Sequence, residues 1–135
     1  MSGTTPKLRP AQKVLVIDDE DAFCVLMARI LSDFGYKVMT SNQAKFAHLD
    51  EMTGSDIIFI DMMMPEMNGI QVLQALADHK TGASIVLMSG GDNEMLATAE
   101  THAKRFDQQL IGVLNKPFRV SDVSAILEAE YHDHH

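Results

Sequence analysis

The chain has 135 residues and 46% hydrophobic content, enough for one compact domain with a single core and little room for a second. Its 11 Lys+Arg against 19 Asp+Glu give a formal charge of -8, which argues against a nucleic-acid backbone or an anionic membrane as direct partner. No apolar stretch approaches the roughly 18 residues of a membrane span, and lone Cys24 sits among apolar neighbours like a buried core thiol, so a cytoplasmic setting is expected.

Residues 1–11, with Pro6 and Pro10, read as a flexible leader. The run Val14-Leu15-Val16-Ile17 is a first strand that ends in Asp18-Asp19. Phe23, Leu26, Met27, Ile30, Leu31 and Phe34 then recur at helical spacing, and Gly35 stands where a left-handed cap is wanted. Tyr36 to Thr40 alternates as a second strand, Asn42 can cap a short helix through Leu49, and Gly54-Ser55 turns the chain into a third strand. That strand, Asp56-Ile57-Ile58-Phe59-Ile60, closes on Asp61. Pro65 to Gly69 forms a loop, and Ile70, Leu73, Leu76 and Ala77 mark the next helix. Ser84 to Met88 is a fourth strand ending in Ser89-Gly90-Gly91, followed by a helix from Glu94 to about Phe106. Leu110 to Asn115 is a fifth strand ending in Lys116-Pro117, and Val120, Val123, Ile126 and Leu127 stripe the last helix. The domain is expected over residues 12–130, with 131–135 a frayed tail.

Strands and helices alternating at these lengths predict an α/β fold whose parallel sheet is covered on both faces and wound right-handedly. The best fit is a flavodoxin-like (βα)5 three-layer sandwich with five strands in the order 2-1-3-4-5. In that order strands one and three are neighbours at the topological switch point, so Asp18, Asp19 and Asp61 meet at the crevice where such folds bind ligands. Ser89 and Lys116 leave the next two strands at the same carboxyl edge.

Three clustered carboxylates repel one another unless a cation neutralises them, and a hard divalent ion such as Mg2+ takes oxygen ligands. With the metal in place Asp61 can attack a phosphoryl group and form an aspartyl phosphate. Such transfer needs positioning and positive charge on the equatorial oxygens, which Lys116 and Mg2+ supply. The Ser89 hydroxyl can donate to a phosphoryl oxygen, and Gly90-Gly91 leaves its loop room to move. Each signature alone has a plain reading: an acidic loop, a Ser-Gly-Gly turn, a Lys-Pro strand exit. Their occurrence in order, each at a successive strand end, is what makes them specific. The run Met62 to Met64 offers thioethers that suit copper, not a carboxylate site, and reads as packing. His132, His134 and His135 read as a solvated tail.

Over residues 12–130 the chain resembles the receiver domains of two-component response regulators. Val-Leu-Val-Ile-Asp18-Asp19-Glu20, Asp61-Met-Met-Met-Pro65-Glu-Met-Asn-Gly69, Met-Ser89-Gly and Leu-Asn-Lys116-Pro117-Phe118 carry the likeness. It implies phosphorylation of Asp61 by a histidine kinase, a phosphotransfer protein or a small phosphodonor. It implies Mg2+ held by Asp19, Asp61 and the backbone carbonyl of Met63, with Asp18 acting through water. Ser89 and Lys116 would contact the phosphoryl group, and the outcome would be a switch controlling a partner or an attached output domain, not a dedicated enzyme. Two departures stand out. Val113 occupies the position where the family often has Tyr or Phe that rotates inward on activation, and the segment from Ser89 to Lys116 is several residues longer than in a typical receiver. The run Phe106 to Phe118 is similar to receivers fused to cyclic-di-GMP phosphodiesterase domains. Competing readings are a haloacid-dehalogenase-type phosphatase, which predicts a second Asp where Met63 stands, and a non-phosphorylated pseudo-receiver scaffold, against which the acid triad, hydroxyl and lysine are all present. A flavodoxin-type nucleotide binder would need a phosphate-cradling loop where Asp18-Asp19-Glu20 stands.

Overall fold

The structure is a computed structural model and describes residues 12–41, 54–62, 69–78, 82–91 and 93–133. Within them, β1 (Lys13–Ile17), β2 (Lys37–Ser41), β3 (Ile57–Asp61), β4 (Ser84–Ser89) and β5 (Gln109–Asn115) form one parallel sheet in the order β2-β1-β3-β4-β5. The described helices are α1 (Asp21–Asp33), α2 (Gly69–Asp78), α3 (Asn93–Arg105) and α4 (Val120–Asp133). The expected leader, the helix from Asn42 to Leu49 and the loop carrying Met63 lie outside the described residues.

Alternation along the buried strands sorts their side chains into two layers. Val14, Val16, Ile57, Phe59, Val86 and Met88 pack with Met27 and Leu31 of α1 and Val123 and Leu127 of α4. Leu15, Ile17, Ile58, Ile60, Ile85 and Leu87 face the other way, onto Val72, Leu73 and Leu76 of α2 and Ala99 of α3. β3 and β4 are buried along their full length, as a parallel strand covered on both faces must be. Each such Ile, Leu or Val side chain contributes about 1.5–3 kcal/mol by leaving water. The outermost strand β2 lacks the expected alternation: Val38 packs into the α1 layer while Lys37, Met39 and Thr40 are exposed.

Two helices end in the same capping motif with different residues. After α1, the Gly35 N–H donates to Ser32 O at 2.9 Å and the Tyr36 N–H to Leu31 O at 3.2 Å, with Gly35 at φ 98°. After α3, the Asp107 N–H donates to Lys104 O at 3.3 Å and the Gln108 N–H to Ala103 O at 2.8 Å, with Asp107 at φ 54°. Both are Schellman closures, and the second places a non-glycine residue in the left-handed region. Gln108 then ties α3 to α2, its Nε2 donating to Leu73 O at 2.9 Å while His102 of α3 lies 3.0 Å from Gln74 Oε1 of α2.

β5 carries a register shift against β4: Ile85 pairs with Leu110 and Val86 with Gly112, leaving Ile111 as the extra residue of a bulge. A Cβ on Gly112 would meet Ile126 side-chain atoms at 2.7–2.9 Å, so glycine here lets α4 approach the strand. The last helix runs through Tyr131, His132 and Asp133, where a frayed tail was expected. Nothing in Glu128-Ala129-Glu130-Tyr131 interrupts a helix, and Glu130 is itself buried beside Ser84 of β4, which its carboxylate accepts from at 3.2 Å. No helix among the described residues is long and apolar enough to cross a membrane.

Candidate functional site

Four strand ends deliver the site, and the sheet's hydrogen-bond ladder continues just past them. The Asp18 N–H donates to Ser41 O at 3.0 Å, the Met62 N–H to Met88 O at 2.9 Å and the Lys116 N–H to Ser89 O at 2.7 Å. The residues whose side chains matter are therefore held by backbone bonds on a rigid edge, not on free loops. Ser89 stands one step beyond the residue paired with Asp61, and Asn115 pairs with Ser89, so Lys116 emerges directly above the site.

Asp18 and Asp61 are buried and Asp19 is exposed. Oxygens of the three carboxylates come within 4.8 Å of one another, the cluster able to hold a metal ion among the described residues. Its donors are all hard oxygens, which fits a hard divalent cation and not a soft one. Asp18 is doubly engaged: Oδ1 accepts from the Glu20 N–H at 2.9 Å, and Oδ2 accepts from Lys116 Nζ at 2.7 Å. The first of these bonds sets the buried carboxylate at the amino end of α1, where the helix dipole favours an anion. Met63, the expected carbonyl ligand, lies outside the described residues.

Lys116 reaches across the sheet toward all three of its acidic neighbours. Nζ is 3.8 Å from Asp61 Oδ1 and 3.9 Å from Glu20 Oε1, within ion-pair range but too long for hydrogen bonds. Burial pulls the ammonium's pKa down, yet the hydrogen bond to Asp18 and the charges of Asp61, Asp18 and Glu20 outweigh it, so the net shift is upward from the ordinary 10.5. The lysine is thus a fixed cation at the acid cluster. Ser89 is buried, and its Oγ accepts from the Gly91 N–H at 3.2 Å, a turn that Gly91 closes at φ 108°. Val113, the departure from the family's frequent aromatic, is a half-buried aliphatic side chain on β5.

Three residues beside the site were given no part in it by the sequence. Phe23, read as part of a core stripe, places its ring centroid 4.2 Å from Lys116 Nζ and stands edge-on to Phe118 at 5.6 Å and 89°. Glu20 adds a second-row carboxylate to the lysine. Cys24 donates from Sγ to the Asp18 carbonyl at 3.3 Å, and burial, helped by the charges of Asp18 and Asp21, pushes its thiol up to about 11. Only proximity to the acid pair, one turn into α1, signals any of them. Phe23, Leu26, Phe118 and Val120 also line an apolar cleft of about 480 Å³ beside Lys116.

Comparison with known proteins agrees with this geometry. The chain is 26% identical over 117 residues to the regulatory protein AtoC of Escherichia coli, covering 86% of this chain and 24% of that protein. It is 30% identical over 124 residues to a probable chemotaxis protein CheY of Rhizobium etli, covering 88% of this chain and 92% of that one. It thus spans about a quarter of the first relative and nearly all of the second. Among solved structures, a response regulator from Colwellia psychrerythraea superposes with a TM-score of 0.73 at 30% identity, covering 90% of this chain and 98% of that one. The family model for the response regulator receiver domain matches residues 14–128. Sheet order, strand-end chemistry and family match together place the chain in the response regulator receiver domain family.

Proposed function

We propose that the chain is a phosphorylation-dependent switch in which Asp61 receives the phosphoryl group. The observation that supports this most is the convergence on Asp61 of an acidic metal cluster and a fixed cation, Lys116, at 3.8 Å. In the step itself an Asp61 carboxylate oxygen forms a bond to phosphorus as the donor's P–O or P–N bond breaks, its electron pair leaving with the donor. Mg2+, when bound, neutralises charge on the phosphoryl oxygens. Asp19 and Asp61 would hold the ion directly, and Asp18, whose oxygens already accept from the Glu20 N–H and Lys116 Nζ, would act through water. Lys116 stabilises charge as it builds on the transferring group, passing from Asp18 toward the phosphoryl oxygens. Ser89 donates its hydroxyl to a phosphoryl oxygen and, because its Oγ accepts from the Gly91 N–H, draws the β4–α3 loop with it.

The phosphodonor is a histidine kinase, a phosphotransfer protein or a small phosphorylated molecule, and the output is an attached domain or a separate partner. The setting is cytoplasmic, and turnover of the phosphoryl group is self-catalysed, not that of a dedicated enzyme. The test is incubation with acetyl phosphate and Mg2+ followed by hydroxylamine. An aspartyl phosphate is released by hydroxylamine; a label that resists it sits on a hydroxyl and refutes the assignment.

A further inference from the structure

A lysine ammonium is a compact charge on a flexible four-carbon stem, with no preferred direction of its own. Lys116 is nonetheless aimed inward, donating to Asp18 Oδ2 at 2.7 Å and lying 3.8 Å from Asp61 Oδ1 and 3.9 Å from Glu20 Oε1. Beside these carboxylates, the face of Phe23 also meets the ammonium, its centroid 4.2 Å from Nζ, well inside the range of a cation–π attraction. The ring is itself fixed. Phe23 sits on the first turns of α1, and Phe118, two residues after Lys116, meets it edge-on at 5.6 Å and 89°. The exit of β5 and the start of α1 therefore grip the same aromatic side chain from two sides.

We propose that Phe23 is a positioning residue for Lys116, holding the ammonium at the acid cluster while it moves from Asp18 to the phosphoryl oxygens on Asp61. This rests on the reading of Asp61 as phosphoacceptor. A hydrogen bond is directional and is lost when the donor turns, whereas a ring face is a broad electrostatic surface over which a cation can shift by an ångström or so and stay bound. A leucine at the same place would fill similar space and offer no negative face. Phe23 thus differs from the stripe residues Met27 and Leu31 of the same helix, which are fully buried in the hydrophobic core.

The experiment follows the rate of phosphorylation by acetyl phosphate at saturating Mg2+, with each variant's fold checked by its amide NMR spectrum. Phe23→Leu is expected to slow the reaction about five-fold, about 1 kcal/mol of barrier, and Phe23→Tyr, which keeps the ring face, to stay within about twofold of wild type. In a Lys116→Gln background Phe23→Leu is expected to add nothing, because the group it acts through is gone. The Lys116 ε-methylene protons, shifted upfield by the ring, should lose that shift in Phe23→Leu and keep it in Phe23→Tyr. Should Phe23→Leu fail to fold, Phe23→Met takes its place. An unchanged rate in Phe23→Leu, or an equal loss with and without Lys116, overturns the positioning role while leaving the phosphoacceptor intact. A wild type that takes no phosphoryl group overturns both.

Discussion

Replacing Asp61 by Asn keeps its shape and removes one charge, and so weighs the acid cluster against its lysine. Oxygens of Asp18, Asp19 and Asp61 lie within 4.8 Å of one another, and Lys116 Nζ is 3.8 Å from Asp61 Oδ1. At an effective dielectric of about 20, a carboxylate at the 4.8 Å limit repels Asp61 by about 3.5 kcal/mol, and Lys116 attracts it by about 4 kcal/mol. The lysine therefore offsets one repulsion and leaves the other. Asp19 is exposed, and screening cuts its share to roughly 1–2 kcal/mol. Asp61 is only 4% exposed, so its carboxylate also carries a desolvation cost that an amide largely escapes. In EDTA, Asp61→Asn should be more stable than wild type by about 1–3 kcal/mol. A metal at ten times its Kd adds about 1.4 kcal/mol to wild type by mass action and much less to the variant, so Mg2+ should narrow the gap. Urea titrations followed by circular dichroism, in EDTA and in Mg2+, measure both. A variant less stable than wild type in EDTA, with an unchanged response to Mg2+, would refute the reasoning.

Other expectations concern single groups. Cys24 is raised from its ordinary 9.0 to about 11, so the stability it contributes is present below pH 9.0 and is lost as pH climbs toward 11, where the unfolded thiol has ionised first. The urea midpoint of wild type should fall across that interval more steeply than that of Cys24→Ala; parallel curves would show that the thiol carries no such load. Asp107→Gly removes a left-handed non-glycine residue and an anion at the carboxyl end of α3, and should stabilise by about 0.5–1 kcal/mol in the same titration. No gain would mean that the aspartate's turn compensates its backbone. Ser89→Ala should accept phosphoryl but lose the phosphorylation-induced NMR shifts of the β4–α3 loop, and full wild-type shifts would remove the hydroxyl from the switch.

Much of this was legible in the chain because strand ends announce themselves. An unbroken apolar run followed by Asp61 or Lys116 has one reasonable reading in a parallel sheet, and the strand order then brings the acid pair beside the acceptor. What could not be read is where long side chains point. That Lys116 bonds Asp18 at 2.7 Å and stands 3.8 Å from Asp61 depends on rotamers and on Phe23, which at helical spacing is indistinguishable from a core residue. The cap at Asp107 was hidden because the usual glycine signal is absent. The bulge at Ile111 has no periodicity of its own, since one extra residue in a run of Leu, Ile and Val leaves the run apolar. The last helix outran its expected end because the tail's histidines suggested fraying, while Glu130 buried beside Ser84 holds the turn before them.

The most direct measurement is intact mass after incubation with acetyl phosphate, for wild type and Asp61→Asn, each with Mg2+ and with EDTA. Wild type in Mg2+ should gain one phosphoryl group, and the other three samples should gain none. A phosphoryl group on Asp61→Asn, or equal labelling of wild type in EDTA, would contradict a metal-dependent aspartyl phosphate at Asp61.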